Sequence, residues 1–139
     1  MISLIEITSC ESHIWETYRL LKLRNSSISH KKEPTFESHK EFVINHPYRF
    51  WLLIKLEEKF IGSVYLKNDN SIGLNITDDF SYLATEVLQK VVSSFKPLPP
   101  LKSIRNSHFI INVALEDIPL ADSIKEFGGL EIQRTFLLP

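Results

Sequence analysis

Apolar residues recur with two different spacings along the chain, and these spacings separate predicted helices from predicted strands. Between 50 and 77, three short apolar runs are divided by polar turns at 57–59 and 67–70, the pattern of an antiparallel meander. The third run alternates strictly, so we expect one face in the core and one face available for contact. The apolar set is Ile72, Leu74 and Ile76, and the opposite set is Gly73, Asn75 and Thr77.

Helical spacing of apolar residues predicts four helices. The first helix begins after Ser12 and the second after Thr35. The third runs from about Tyr82 to Phe95, and the fourth from Pro119 to about Phe127. Hydroxyl side chains such as those of Ser12 and Thr35 cap free amides at helix starts, and proline suits a first turn. The helix after 82 carries its apolar residues on one stripe, which is typical of a helix packed on a sheet.

Three further strands are predicted at 2–8, 109–115 and 130–138, and the continuous apolar run at 109–115 favours a fully buried strand. The element order is then β-α-α-β-β-β-α-β-α-β. Antiparallel strands that lead into a β-α-β unit predict a mixed α/β (α+β) fold. We expect one domain over 1–139, with a central mixed, largely antiparallel sheet of six to seven strands and helices on both faces.

Composition and charge narrow the function classes. The 139 residues are 43% hydrophobic and 24% charged, as in an ordinary globular domain. The net charge is −1, from 16 Lys and Arg against 17 Asp and Glu, which argues against a nucleic-acid partner. The N-terminal residues have neither the basic start of a signal peptide nor the length of a membrane span. We therefore expect a cytoplasmic protein without a membrane partner.

Cysteine and histidine usage adds two exclusions. Cys10 is the only cysteine, so no internal disulfide forms, and a reducing compartment is expected. The five histidines, at 13, 30, 39, 46 and 108, show no metal-binding spacing. No metal site is predicted.

The element order and three passages resemble the GNAT superfamily of acyl-CoA-dependent N-acetyltransferases, over nearly the whole chain. LKLRNSS followed by PTFESHKEFV is similar to the first two helices of that family. The stretch from 49 to 76 is similar to its central hairpin, with Gly62 and Gly73 in place. INVALEDIPLADSIKEFGG is similar to its closing strand and helix.

The resemblance implies acetyl-CoA as the cofactor. In this family the strand before the main helix splays from the strand after it, and the pantetheine arm lies in the gap. The pyrophosphate binds at the helix start. The residues that the resemblance assigns to the cofactor are Asn75, Ile76, Thr77, Ser81, Leu83, Ala84 and Asp117.

The helix start departs from the family pattern. The family places glycines and a basic residue there, so that bare amides hold the pyrophosphate. This chain has Asp78 and Asp79 and no glycine, in a loop about two residues shorter. These carboxylates suit a helix start but repel a pyrophosphate. We expect a degenerate cofactor loop that binds acetyl-CoA weakly or not at all.

Acetyl transfer to an amine requires a base for the amine and an acid for the departing thiolate. Candidate bases are Glu58, Asp78 and, through a water, Tyr65. The tyrosine that often serves as the acid in the family falls on Ile124, which cannot donate a proton. Tyr82 is the nearest substitute by sequence.

Two hypotheses for the function follow. The first is an acetyl-CoA-dependent N-acetyltransferase acting on a small amine, such as an amino sugar or another metabolite, or on an amino terminus. The second is a catalytically inactive protein of the same fold that binds or assembles with a protein partner, because it has lost the pyrophosphate site. A homodimer is compatible with both.

Overall fold

The computed structural model describes residues 1–23 and 34–139. Each predicted helix is present, and strands form at 2–6, in the meander and at 110–111. The elements are β1 Ile2–Glu6, α1 Glu11–Lys22, α2 Phe36–Asn45, β2 Phe50–Leu56, β3 Lys59–Leu66, β4 Ser71–Ile76, a 3-10 helix Asp78–Leu83, α3 Ala84–Ser94, β5 Ile110–Ile111 and α4 Ile118–Phe127.

Five strands form one sheet in chain order, β1-β2-β3-β4-β5. The strands from β1 to β4 are antiparallel, which confirms the predicted meander. β5 runs parallel to β4 and pairs with it only through Ser71 with Ile110 and Ile72 with Ile111. The sheet is therefore mixed and largely antiparallel, as predicted.

The predicted count of six to seven strands is wrong, because the described residues form five. The predicted strand at 109–115 shrinks to two residues that are only half-buried. The predicted strand at 130–138 forms no ladder with any described residue, although it contains no helix or turn. A strand needs a neighbour for its backbone groups, and neither segment has one along its full length.

Helices cover both faces of the sheet, as predicted, and the two faces have separate cores. Alternate side chains of β2 divide between them. Leu52 and Ile54 pack with α3, where Val87 and Val91 are fully buried. On the opposite face, Trp51 and Leu53 pack with Ile14 and Leu20 of α1 and with Val43 of α2.

A buried hydrogen bond joins α1 to α2. Thr17 Oγ1 lies 2.7 Å from His39 Nε2. The Thr17 hydroxyl donates to the carbonyl of His13 at 2.8 Å, so it accepts from the imidazole N–H. Burial lowers the pKa of His39 below its ordinary value of 6.5, and a hydrogen bond with the backbone of Ile14 opposes this only in part.

The helix starts are partly as predicted. Thr35 caps α2 by accepting the Ser38 N–H at 3.1 Å. α1 begins one residue before the expected cap, because exposed Cys10 is its N-cap and makes no side-chain capping bond. α4 ends at Gly128, whose φ of 106° lies in the left-handed region that favours glycine.

The main helix differs most from its prediction. α3 starts at Ala84 rather than near Tyr82, and the 3-10 helix Asp78–Leu83 precedes it. Asp78 and Asp79 lie in the first turn of this 3-10 helix, where negative charge is favourable. No side-chain capping bond forms at Thr77, the residue before it.

Asn70 connects the β3–β4 turn to the long connection before β5. Its side chain is fully buried and makes three hydrogen bonds. Nδ2 donates to the carbonyls of Leu98 at 2.9 Å and Asn106 at 2.8 Å, and Oδ1 accepts the Leu98 N–H at 2.8 Å. Its own carbonyl accepts the N–H of Ile110 at 2.9 Å, which starts the β4–β5 pairing.

Arg105 also joins the long connection before β5 to the β3–β4 turn. Arg105 Nε donates to the carbonyl of Pro99 at 2.6 Å, and its Nη1 donates to the carbonyl of Asn68 at 3.1 Å. Together with Asn70, this arginine fixes the connection against the turn.

No helix of the described residues is long and apolar enough to cross a membrane.

Replacing Asn70 with glycine is expected to destabilise the fold by about 3 kcal/mol, because three partly buried backbone groups each lose a hydrogen bond of about 1 kcal/mol. Asn70→Ala should cost about 1 kcal/mol more, since the φ of residue 70 is 68°. Urea unfolding followed by circular dichroism measures both values. Asn68→Ala in the same turn is the control, and its exposed side chain should cost under about 0.5 kcal/mol. A loss at Asn70 no larger than that of the control contradicts the assignment.

Stability should decrease as the pH falls through and below about 6.5. His39 has a lower pKa in the folded chain than in the unfolded chain, so the unfolded chain binds more protons in the window between the two values. Above about pH 6.5 the His39 imidazole is neutral in both the folded and the unfolded chain, so its effect on stability disappears. His39→Leu should reduce the slope of unfolding free energy against pH. His108→Gln, which removes an exposed histidine, is the control, and an equal change of slope in both variants contradicts the prediction.

Candidate functional site

A cleft lies beside the part of β4 that does not pair with β5. The two strands pair at Ser71 and Ile72, and beyond Ile72 they no longer bond to each other. The cleft has a volume of about 130 Å³. Its lining comes from β4, from the start of the main helix, from the start of α4 and from the end of α1: Leu74, Asn75, Ile76, Thr77, Asp78, Ser81, Ala84, Asp117, Pro119, Leu120, Leu20 and Leu23.

Backbone groups of β4 point into this cleft. Successive residues of a strand direct their N–H and C=O groups to opposite edges. Thr77 donates its N–H to Ile61 of β3 at 2.9 Å, so odd-numbered residues of β4 bond toward β3. Leu74 and Ile76 therefore direct their N–H and C=O groups toward the side where β5 has diverged. An extended molecule that carries amides could bond there as a strand does.

Six of the seven predicted cofactor residues line the cleft: Asn75, Ile76, Thr77, Ser81, Ala84 and Asp117. The seventh, Leu83, does not, because it packs against the core beneath α3. The sequence thus grouped residues from three separate elements that the fold brings to one place. Their role in binding stays a prediction.

Asp117 holds the start of α4 at the cleft. It is the N-cap of that helix, and its Oδ1 accepts the N–H of Leu120 at 3.3 Å. Thr85 Oγ1 donates to the carbonyl of Ser123 at 3.4 Å and connects α3 to α4. The carboxylate is therefore partly engaged in capping and lies half-buried at the cleft wall.

The 3-10 helix limits what the cleft can offer to an anion. The N–H of Phe80 donates to the carbonyl of Thr77 at 2.9 Å, and Ala84 is bonded to Ser81 in the same i to i+3 pattern. Asp78 and Asp79 lie in the first turn of this helix, so a pyrophosphate placed at its start would meet like charge.

The catalytic candidates are dispersed. Asp78 lines the cleft. Glu58 lies in the β2–β3 turn with its side chain almost fully exposed and its carboxylate 3.8 Å from Lys55 Nζ. Tyr82 is 72% exposed. Neither Glu58 nor Tyr82 lines the cleft. Asp78 is therefore the one catalytic candidate of the three that lies there.

Tyr65, the base proposed to act through water, lies on the face toward α1 and α2. Its ring stacks on Tyr48 with centroids 4.0 Å apart and an interplanar angle of 8°. The ring also lies against Gly73, where any side chain would collide with it. Packing on both sides explains why glycine occupies that position of β4.

Three bulky side chains of the described residues that could have filled the cleft lie outside it. Phe80 and Ile124 pack against the core under α3, and Tyr82 projects to solvent. The volume is nevertheless below the roughly 300–1,000 Å³ typical of small-molecule pockets. A narrow, extended group fits such a space, whereas a nucleotide would have to lie outside it.

Five wall residues were not assigned to a site by the sequence analysis, and one of them is Leu74 of β4. Leu20 and Leu23 close the cleft from the end of α1, and Pro119 and Leu120 close it from α4. The apolar spacing of α1 indicated a packed helix but not which of its residues face a cleft. The position of α1 over the sheet depends on contacts distant in sequence.

No family model matches the chain, and no curated protein matches its sequence. Two solved structures share its fold over essentially the whole length. One, described as a possible acetyltransferase from Clostridium difficile 630, is 9% identical with a TM-score of 0.58, over 100% of this chain and 97% of the other. The second, a protein of unknown function from meticillin-resistant Staphylococcus aureus described as a probable acetyltransferase, is 15% identical with a TM-score of 0.58, over 100% of both chains. At these identities the comparisons show that the chain has an acetyltransferase-like fold.

Proposed function

We propose that the protein is an acetyl-CoA-dependent N-acetyltransferase that holds the pantetheine arm of the cofactor between β4 and β5. The observation that carries this proposal is the early separation of the two strands, which leaves the edge groups of Leu74 and Ile76 facing a narrow cleft. Pantetheine is a narrow chain with two amides. Its amides can bond to those groups in place of the missing strand.

The acceptor in this proposal is a small amine, such as an amino sugar or another metabolite, or an amino terminus. The amine nitrogen attacks the thioester carbonyl carbon, the C–S bond breaks, and the amine loses a proton. Asp78 is the base, because it lies at the cleft whereas the other candidate bases, Glu58 and Tyr65, do not. With Ile124 in the core and Tyr82 exposed, the thiolate takes its proton from solvent.

The cofactor is held mainly by its arm. Asp78 and Asp79 stand where the pyrophosphate would meet the helix start, so the nucleotide contributes little to binding. Binding energy must then come from the cleft, which is small. This predicts weak affinity and little preference for the full cofactor over its thioester arm alone.

A second candidate function rests on the same two aspartates. The 3-10 helix satisfies amides that a phosphate would need, and none of the described residues that line the cleft is a tyrosine that could donate a proton. A non-catalytic protein that binds or assembles with a partner would tolerate both features. If titration with millimolar acetyl-CoA and with S-acetylpantetheine gives no binding to folded protein, the enzyme proposal fails and the second candidate stands.

Ser81→Trp is expected to abolish binding of S-acetylpantetheine, with at least a tenfold loss of affinity, because an indole would occupy the cleft that Ser81 lines. Isothermal titration measures the affinity, and thermal unfolding checks that the variant is folded. Ser94→Trp, at the exposed end of the following helix α3, is the control and should bind normally. Unchanged binding in a folded Ser81→Trp variant places the ligand elsewhere.

Asp79→Arg should raise the affinity for acetyl-CoA by about tenfold, or about 1.4 kcal/mol. The substitution replaces a charge that repels the pyrophosphate and leaves Asp78 in place. Affinity for S-acetylpantetheine, which has no nucleotide, should not change. Glu37→Arg on α2 alters the net charge equally and serves as the control. An equal gain in both variants would show a general charge effect instead of a phosphate contact.

A further inference from the structure

The connection between α3 and β5 begins with the stretch KPLPPLK, residues 96–102, which we call the proline segment. Its prolines fix φ at about −65°, and the residues that precede them avoid helical geometry. Phe95, just before the segment, is already extended, with φ −129° and ψ 148°. Residues 96–100 form neither helix nor strand. These restrictions favour the polyproline II conformation, which has three residues per turn.

Hydrogen bonds from the rest of the fold hold the carbonyls of Lys96, Leu98 and Pro99. The donors are side chains outside these three positions, namely Arg49 at 2.9 Å, Asn70 at 2.9 Å and Arg105 at 2.6 Å, respectively. The N–H of Leu98 also donates to Asn70 Oδ1 at 2.8 Å. The proline segment is therefore held in one conformation, so a partner that binds it has little chain to order.

The carbonyls of Pro97 and Pro100 are left for other partners. They lie three residues apart, on one side of a polyproline II helix, and neither accepts a hydrogen bond from a described residue. The rings of Pro99 and Pro100 are exposed, and Leu101 beside them is 46% exposed. Tyr and Trp side chains combine an apolar ring with a hydrogen-bond donor, so they suit both the rings and the carbonyls.

The proline segment is also basic. Lys96 and Lys102 are exposed, and neither forms an ion pair with a described acid. Residues 87–115 contain no Asp or Glu. In the neighbouring turn, Asp69 Oδ1 accepts the N–H and the hydroxyl of Ser71 at 2.9 and 2.6 Å, so this carboxylate is engaged within the turn. The local charge therefore complements an acidic side chain on a partner.

The proline segment lies at the opposite end of β4 from the cleft. Asn70, which holds the segment, precedes the first residue of β4, whereas Ile76 at the cleft is the last. Five residue steps of about 3.3 Å separate the two ends of the strand by roughly 17 Å. A partner bound to the proline segment would therefore leave the cleft open.

We propose that the proline segment is a docking site for a partner domain that binds polyproline II chains in an aromatic groove with an acidic residue at one end. The aromatic rings pack on Pro99 and Pro100, and their donors bond to the carbonyls of Pro97 and Pro100. The acidic residue pairs with Lys102. This docking is independent of the ligand that the cleft binds.

An array of SH3 domains, which bind segments of this kind, tests the proposal on the labelled full chain. The chain should bind at least one domain whose groove carries an acidic residue, and Pro100→Ala with Lys102→Glu should weaken this binding at least tenfold. Pro47→Ala with Lys90→Glu removes an exposed proline and an exposed lysine elsewhere and should bind normally. Thermal unfolding checks that both variants are folded. Absence of binding to every domain, or an equal effect of the two pairs of substitutions, overturns the proposal.

Hydrogen exchange of the wild-type chain with the bound domain locates the contact without relying on a variant. The amides of Lys102 and Ser103 bond to no described residue and should exchange more slowly in the complex. Those of Leu74 and Ile76 at the cleft should not change. Slower exchange at the cleft with none at 102–103 would place the partner elsewhere and overturn the proposal.

A labelled single-stranded oligonucleotide tests whether the basic charge serves a polyanion instead. Fluorescence anisotropy should show no binding of this probe to the full chain. Binding that Lys102→Glu abolishes and Pro100→Ala leaves unchanged would assign the charge to a nucleic acid and overturn the docking of a protein domain.

Discussion

The buried amide of Asn70 determines how the last strand meets the sheet. Its side chain holds both ends of the connection between α3 and β5, and its carbonyl starts the parallel pairing by accepting the Ile110 N–H. β5 is therefore fixed at its beginning and by only two residue pairs. Past that point nothing in the ladder keeps the strands together. The cleft exists because β5 is anchored at one end.

The cleft presents backbone hydrogen-bonding groups but no favourable site for an anion. Leu74 and Ile76 present edge groups to an extended ligand, and this depends only on strand alternation. The nearby helix start disfavours phosphate, because the amides of Phe80 and Ala84 bond within the 3-10 helix and two carboxylates lie in its first turn. The two halves of a nucleotide thioester would thus meet very different surfaces. The arm and the nucleotide of such a ligand therefore contribute unequally to its binding.

Local patterns in the sequence predicted the parts of the fold that local chemistry decides. The alternation in β4, the stripe of α3 and the Pro119 and Gly128 boundaries of α4 all follow from nearest neighbours. The same reasoning placed Asn75, Ile76 and Thr77 at the cleft, through a resemblance in the order of elements. It failed where partners are remote: the role of Asn70 depends on Leu98 and Asn106, which lie about thirty residues away.

Two other differences have a similar cause. At 78–83, 3-10 and α geometry differ by one residue in the spacing of their hydrogen bonds. The pattern of apolar residues does not distinguish the two. The predicted strand at 130–138 has the alternation of a strand, yet alternation does not specify which segment would pair with it. A single sequence describes the preferred conformation of a segment better than it describes the partner of that segment.

The walls of the cleft differ in how firmly they are held. β4 is paired along its length with β3, and its side chains Leu74 and Ile76 pack into the core. The opposite wall is the start of α4, a helix with no fully buried residue. Ile124 packs against the core, and Thr85 bonds to Ser123, but Ile118 is 64% exposed. Local stability follows buried contacts, so the width of the cleft depends on the α4 side.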